Sequence, residues 1–233
     1  MRKALGAVPA VLLIGLAACG SSPADSYKKT DPVTIATDAH AALTATTGIH
    51  VAGTIQLGNE SMTVDLVSDT TGAATGSVVL DGQSVQVLLT GGPKGTVYVK
   101  GDAGFWGKVA AQAADRLAGK WVTQVAPLTK ILPQLTLPKL IANEAKYAWE
   151  KESPTYVGTG SVNGTPTVRI AALDGSVGVK EVLDVAATDP HHVLRETEDS
   201  QFTLTFDQFG ATVDAPAPAA ADVVDLTKVT AQK

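Results

Sequence analysis

Apolar and polar residues alternate along the chain from residue 48 to residue 99, and this period of two restricts the fold more than any other feature. Successive side chains of a strand point to opposite faces, so the alternation builds a sheet with one apolar and one polar face. Turns are predicted at Gly58-Asn59-Glu60 and at Asp81-Gly82, a dipeptide favoured in two-residue hairpins. The pattern predicts an antiparallel meander whose apolar positions are Ile49, Val51, Ile55, Leu57, Met62, Val64, Leu66, Val85, Val87, Leu89, Val97 and Val99.

A second block of strands is predicted between residues 155 and 209. The turn dipeptides Asn163-Gly164 and Asp174-Gly175 separate its first members. A Pro/Ala stretch at 215–221 then leads to a short final segment, 222–229. The expected strands cover residues 155–162, 165–173, 177–187, 191–198 and 201–209.

A helix is predicted before the first strands. Asp31 can cap free amides, and Pro32 needs no amide of its own at the first helical position. The following apolar residues fall on one face, and Gly48 marks the end. This predicts a short amphipathic helix.

The N-terminus has the layout of a secretory signal. Two basic residues precede an apolar stretch, residues 4–16, and its roughly 13 residues fall short of the roughly 17–25 that span a bilayer. Leu16-Ala17-Ala18-Cys19 resembles the bacterial lipobox, which implies cleavage between Ala18 and Cys19 and a thioether to diacylglycerol on Cys19. We predict a lipoprotein signal peptide at 1–18. The alternative is an ordinary secretory signal with a chance cysteine.

Cys19 is the only cysteine, so its acylation leaves no thiol for disulfides, catalysis or metal binding. Cleavage removes Arg2 and Lys3 and leaves 16 of the 18 basic residues. With 23 acidic residues, the formal net charge of the mature chain is then about −7. Such a chain is a poor ligand for nucleic acid and anionic headgroups. The polar segment 19–31 is predicted to be a lipidated flexible tether, and 32–233 a single domain.

The segment 103–153 interrupts the strands. Its helical pieces are cut by Pro127, Pro133 and Pro138, and it holds all three tryptophans. The apolar face of a large sheet must be covered, and this insert is the only cover that the sequence offers.

Several stretches resemble the LppX/LprG-type lipoproteins of the actinobacterial envelope, which are similar in architecture to the LolA and LolB carriers. They are GTIQLGNESMTVDL, ATGSVVLDG, TVYVKGDAGFW, GKWV, SVNGTPTVRI and QFTLTFDQFGATVDAPAP. The resemblance implies an α+β fold: a curved antiparallel half-barrel with helices covering its concave face. It also implies a hydrophobic cavity between them that takes acyl chains.

The inward strand positions are mostly small or medium side chains, with phenylalanine only at Phe202, Phe206 and Phe209, which agrees with a cavity. An ordinary packed core is the alternative, because Val-rich strands are normal in antiparallel sheets. Candidate ligand-binding residues are Val51, Ile55, Val64, Val87, Leu89, Phe105, Trp106, Trp121, Leu132, Leu140 and Trp149.

Motifs of catalysis are weak. The S-x-x-K match at Ser26 lies in the tether, and the glycine-rich stretch 158–164 runs along a strand rather than into a helix. His191 and His192 are adjacent in a predicted strand and therefore point to opposite faces. We predict no enzymatic activity, no cofactor and no metal.

The sequence therefore predicts a lipoprotein anchored at the outer face of the cytoplasmic membrane that binds or carries a lipid or acylated ligand. Its partners would be that ligand and the bilayer. Two alternatives stay open. One is an interaction module with a solid core that docks on another envelope protein, and the other is an enzyme whose site no motif reveals.

Overall fold

The two blocks of strands meet in the middle of one sheet. In the computed structural model, which describes residues 22–92, 94–147, 149, 153–174, 179–199 and 201–230, the sheet has 12 strands and is not closed into a barrel. The strands are β1 (Gly48–Leu57), β2 (Glu60–Asp69), β3 (Ala74–Leu80), β4 (Gln83–Leu89), β5 (Val97–Lys100), β6 (Trp121–Thr123), β7 (Thr155–Val162), β8 (Thr165–Asp174), β9 (Val179–Ala186), β10 (Val193–Glu198), β11 (Phe202–Asp207) and β12 (Val223–Asp225).

The order across the sheet is β12-β6-β5-β4-β3-β2-β1-β11-β10-β9-β8-β7. Strand β1 pairs antiparallel with both β2 and β11, and so joins the first meander to the second. The predicted α+β class and the open sheet are confirmed. The helices are α1 (Pro23–Tyr27), α2 (Pro32–Ala45), α3 (Ala103–Val109), α4 (Ala114–Leu117), α5 (Leu128–Ile131), α6 (Leu137–Tyr147) and α7 (Leu226–Thr230).

Two of the predicted hairpin turns have the expected backbone. Asp81 and Gly82 have φ values of 50° and 72°, and Asn163 and Gly164 have 49° and 83°. Positive φ at both central positions is the requirement of the type I′ turn. The Gly of the predicted Asp174-Gly175 turn lies outside the described residues, as do Ala18 and Cys19.

Helix α2 begins where the sequence predicted. The Asp31 carboxylate accepts a hydrogen bond from the backbone N–H of Val33 at 2.8 Å, and Pro32 occupies the first turn. Ile35, Ala36 and Ala39 are fully buried and join the hydrophobic core. The amphipathic helix is confirmed.

The prediction of a flexible tether is wrong for residues 23–27. Residues Pro23–Tyr27 form α1, which Ser22 caps by accepting from the N–H of Asp25. Ala24 is buried in the core, and the ring of Tyr27 stacks on that of His191 with centroids 4.1 Å apart. Polar composition suggested a tether, but one small and one aromatic residue are enough to dock a single helical turn.

The cover of the sheet also differs from the prediction. The insert supplies α6, whose first N–H, at Leu137, donates to the buried hydroxyl of Ser68 on β2 at 3.1 Å. Helix α2 packs against α6 and against β7 and β8, so α2 is a second cover. We call the sheet face under these two helices the inner face.

The final strand differs in direction. Strand β12 pairs parallel with β6, in a sheet that the resemblance implied to be antiparallel. The chain leaves β11 in the middle of the sheet and returns through residues 208–222 to the far edge. A connection of this length permits parallel pairing, which a hairpin cannot give.

Candidate functional site

Four neighbouring strands present a row of side chains on the inner face. Ile55 on β1 pairs with Phe202 on β11, which pairs with Glu198 on β10, which pairs with Glu181 on β9. Side chains opposite each other on adjacent strands are about 4.5–5.5 Å apart at Cβ. The row therefore passes from apolar to acidic across the sheet. The next row along the strands consists of Gly53, Leu204, Glu196 and Leu183.

Six of these eight residues, all except Gly53 and Leu183, line the floor of a cleft of about 480 Å³, which α2 and α6 cover. Its volume lies in the range of small-molecule sites, about 300–1,000 Å³. The apolar lining comprises Leu43, Ile49, Ile55, Leu135, Leu140, Trp149, Val193, Phe202, Leu204, Phe206 and Phe209. The polar lining comprises Gln134, Asn143, Glu144, Glu181, His192, Glu196 and Glu198.

Trp149 closes one side of the cleft. Its backbone N–H donates to Oε1 of Glu144 at 2.8 Å, and its indole Nε1–H donates to Oε1 of Glu181 at 2.8 Å. Glu144 belongs to α6 and Glu181 to β9, so the tryptophan ties the covering helix to the floor. The indole presents a buried apolar surface to the cleft.

Glutamates concentrate at the β9–β10 side of the cleft. Burial, together with the carboxylates of Glu181, Glu144 and Glu198, raises the pKa of Glu196 well above its usual value. Like charges at short range disfavour the ionised form, as does removal from water. Hydrogen bonding with the carboxyl of Glu181 also raises the pKa of Glu196, because it favours the protonated form.

An aromatic pair lines the cleft where β11 ends. The rings of His192 and Phe209 stack with centroids 3.7 Å apart and an interplanar angle of 8°. Burial lowers the pKa of His192, which favours the neutral imidazole. The neutral imidazole of His192, stacked on Phe209, therefore gives this side of the cleft a flat and weakly polar surface.

Three of the candidate ligand-binding residues line the cleft: Ile55, Leu140 and Trp149. Trp121 is half-buried on β6, with the ammonium of Lys100 5.6 Å from its ring centroid. The remaining candidates are buried in the hydrophobic core and are not among the lining residues: Val51, Val64, Val87, Leu89, Phe105, Trp106 and Leu132. Ligand contact by any of them stays a prediction.

The sequence reading missed the four glutamates of the cleft. In a regular strand, Arg195 would lie on the same face as the buried Val193, which is the inner face. The register of β10 shifts between these two residues, however. One extra residue in a strand reverses every later side chain. Glu196 and Glu198 therefore face inward, and the spacing of two between them was the signal available.

The two adjacent histidines precede β10 rather than lying in it, and their rings contact different aromatic side chains. His191 stacks on Tyr27 and places Nδ1 2.9 Å from the carbonyl oxygen of Ala186, whereas His192 stacks on Phe209. Among the residues that the structure describes, no group of three or more acidic, histidine or cysteine side chains could hold a metal ion. Within the same residues, no helix is long and apolar enough to cross a membrane.

An open, mostly antiparallel sheet covered on one face by helices is the fold of a class of mycobacterial lipoproteins. Two solved members are similar to this chain: LprF from Mycobacterium bovis and LppX from Mycobacterium tuberculosis. LprF is 21% identical, with a TM-score of 0.54 over 82% of this chain and 100% of its own. LppX is 16% identical, with a TM-score of 0.53 over 79% of this chain and 97% of its own.

At these identities the likeness shows the fold, and the predicted resemblance to LppX-type lipoproteins is confirmed at that level. No family model matches the sequence, and no curated protein matches it.

Proposed function

We propose that this protein is a lipid-anchored, extracytoplasmic lipoprotein that binds an acyl chain of a lipid or lipidated molecule in the cleft between α2, α6 and the inner face of β1, β9, β10 and β11. The anchor is the diacylglycerol predicted on Cys19. The role is that of a carrier or holder, without catalysis.

The observation that carries this proposal is the apolar part of the cleft, which lies beside β1 and β11 and away from the glutamates of β9 and β10. Side chains of β1, β11 and α6, including Ile55, Phe202 and Leu140, leave a space of about 480 Å³ between them rather than interlocking. Burial of apolar surface contributes about 25 cal/mol per Å² before the costs of ordering the ligand. The affinity for an acyl chain therefore comes from the apolar area that the chain buries. Because this contribution does not depend on directional contacts, selectivity among acyl chains is modest.

The cleft also favours a carrier over an interaction module with a solid core. Protein interiors are close-packed, and a space much larger than a water molecule is uncommon in them. The fold shared with LprF and LppX agrees with an envelope lipoprotein.

Purification of the lipidated protein from its membrane, followed by native mass spectrometry and lipid extraction, tests the proposal. We expect a bound lipid in addition to the covalent anchor, and uptake of a fluorescent fatty acid after delipidation. A delipidated protein that takes up no acyl probe would overturn the proposal.

A pair of tryptophan substitutions tests whether the acyl probe binds in the cleft. Leu140→Trp fills the cleft and should reduce uptake severalfold, whereas Val109→Trp adds the same ring at an exposed position of α3 and should leave uptake unchanged. Equal uptake by the two variants would place any binding elsewhere.

A further inference from the structure

Helix α1 fixes the start of the described chain to one end of the sheet. Ala24 is buried, and α1 packs on β8, the second strand from that edge. The phenol of Tyr27 donates to Oδ2 of Asp38 on α2 at 2.8 Å, and its ring stacks on His191. The chain is therefore held by α1 and does not swing freely from residue 31, where the domain was predicted to begin.

The edge strand beside this helix exposes two adjacent large apolar side chains. Tyr156 is 43% exposed and Val157 is 42% exposed. Among the described residues, the other exposed large apolar side chains, Val33, Val79 and Val109, are separated from one another in sequence. Lys28, which directly follows α1, is close enough to Tyr156 to interact with it electrostatically.

Strand β7 lacks the usual protection of a sheet edge. Its eight residues, TYVGTGSV, contain no charge and no proline, although a register shift between Tyr156 and Gly158 marks a bulge. Soluble proteins commonly guard such edges with lysine or proline. A neutral edge with a tyrosine is instead suited to the membrane interface, where tyrosine rings are enriched.

We propose that the edge formed by Tyr156 and Val157 rests on the surface of the bilayer that holds the lipid anchor. This proposal depends on the acylation of Cys19 included in the proposed function. Cys19 precedes Ser22 by three residues, which reach at most about 11 Å when extended. Because α1 is packed on the domain, so short a connection keeps this end of the sheet beside the membrane.

The contact is apolar rather than electrostatic. Lys28, which interacts with Tyr156, forms an ion pair with Asp25 at 2.6 Å, and Arg169, which lies opposite Gly158 of β7, forms one with Asp184 at 3.5 Å. The protein as a whole is acidic, with 23 acidic against 18 basic residues. Attachment of the edge should therefore change little between low and high salt.

Single-cysteine labelling of the full lipidated chain tests this orientation. An acylated Cys19 has no thiol, so a fluorophore attaches only to the new residue in Val157→Cys. Val109→Cys is the matched control, because Val109 is 39% exposed and lies on α3, which packs on β4 in the other half of the sheet. Each labelled protein is reconstituted into phosphatidylcholine vesicles that carry a spin-labelled headgroup.

We expect both proteins to float with the vesicles and the label at 157 to be quenched severalfold more than the label at 109. Equal quenching in floating protein would overturn the orientation while leaving the anchor intact. Failure to float, or labelling of the unsubstituted protein at Cys19, would instead refute the acylation. Crosslinking between two copies through residue 157 in detergent would also overturn the proposal, because it would show pairing of β7 with a second chain.

Discussion

The indole N–H of Trp149 donates to the carboxylate of Glu181 at 2.8 Å and so joins the segment after α6 to strand β9 across the proposed lipid cleft. The backbone N–H of the same residue is held by Glu144. Through Trp149, these two hydrogen bonds connect the covering helix α6 to strand β9 of the sheet.

Replacement of Trp149 by phenylalanine should loosen the cover. Phe keeps an apolar ring but removes the donor to Glu181, and a hydrogen bond to a charged group contributes about 1.5–3 kcal/mol. We expect a loss of unfolding free energy of about that size in urea titrations, and faster release of a bound acyl probe. Trp121→Phe, on β6 outside the cleft, is the control. Equal release rates in the two variants would contradict the role given to Trp149.

Glu196 should make the protein less stable as the pH rises. Its pKa is raised in the folded state by burial and by Glu181, Glu144 and Glu198, so the native state retains a proton that the unfolded state has lost. Stability falls with pH wherever the native state binds more protons. The fall begins near the ordinary pKa of a glutamate and ends above the raised pKa.

Glu196→Gln should remove this fall and stabilise the protein at neutral pH, as measured by urea unfolding at several pH values. Glu60→Gln, at the exposed start of β2, is the control and should keep the dependence of the unsubstituted protein. A pH profile that Glu196→Gln leaves unaltered would show that the carboxyl of Glu196 titrates alike in both states.

The order of elements could be predicted because it is encoded locally. Alternation located β1, β2, β4 and β5 but not β3, the second block of predicted strands contained β7 to β11, and the Asp81-Gly82 and Asn163-Gly164 turns fixed two hairpins. The single turn of α1 and the parallel strand β12 could not be predicted, because both form through contacts with distant parts of the chain. No local pattern distinguishes a docked turn from a tether.

The candidate site was harder to predict than the fold. Ile55, Leu140 and Trp149, three of the candidate ligand-binding residues, line the cleft, yet Val64 and Val87 lie on the same sheet face as Ile55 and pack into the core instead. Whether an inward side chain meets a neighbour or a space depends on where α2 and α6 sit, which periodicity does not reveal. The bulge on β10 hid the glutamates for a similar reason.

Gly53 should be required for the pairing of β1 with β11 at the floor of the cleft. A Cβ at this position would lie 2.1 Å from the backbone oxygen of Thr203, so Gly53→Ala forces the two strands apart. We expect a loss of about 2–3 kcal/mol in unfolding free energy, the order typical of backbone strain. Gly107→Ala, in α3 with no atom within 4 Å of the new Cβ, should be neutral or stabilising by up to about 1 kcal/mol. Equal stability of the two variants would contradict the close approach of the strands.

His50 should contribute stability that is lost as the solution becomes alkaline. Its Nδ1 lies 2.6 Å from Oδ1 of Asp207 and its Nε2 3.1 Å from Oδ1 of Asp65, on the strands that flank β1. Burial alone would lower the pKa of His50, but the two carboxylates outweigh it and raise the pKa above 6.5. The ion pairs are therefore fully present below about pH 6.5 and disappear as the pH passes the raised pKa.

Since both carboxylates are largely exposed, we expect this contribution to be about 0.5–1 kcal/mol. Urea unfolding of the Glu196→Gln protein between pH 6 and pH 9 measures it without the contribution of Glu196. Asp207→Asn in that background should remove most of the remaining slope, and His50→Gln all of it. A slope that survives Asp207→Asn undiminished would mean that the pairing of β1 with β11 does not hold the imidazole against Asp207 in solution.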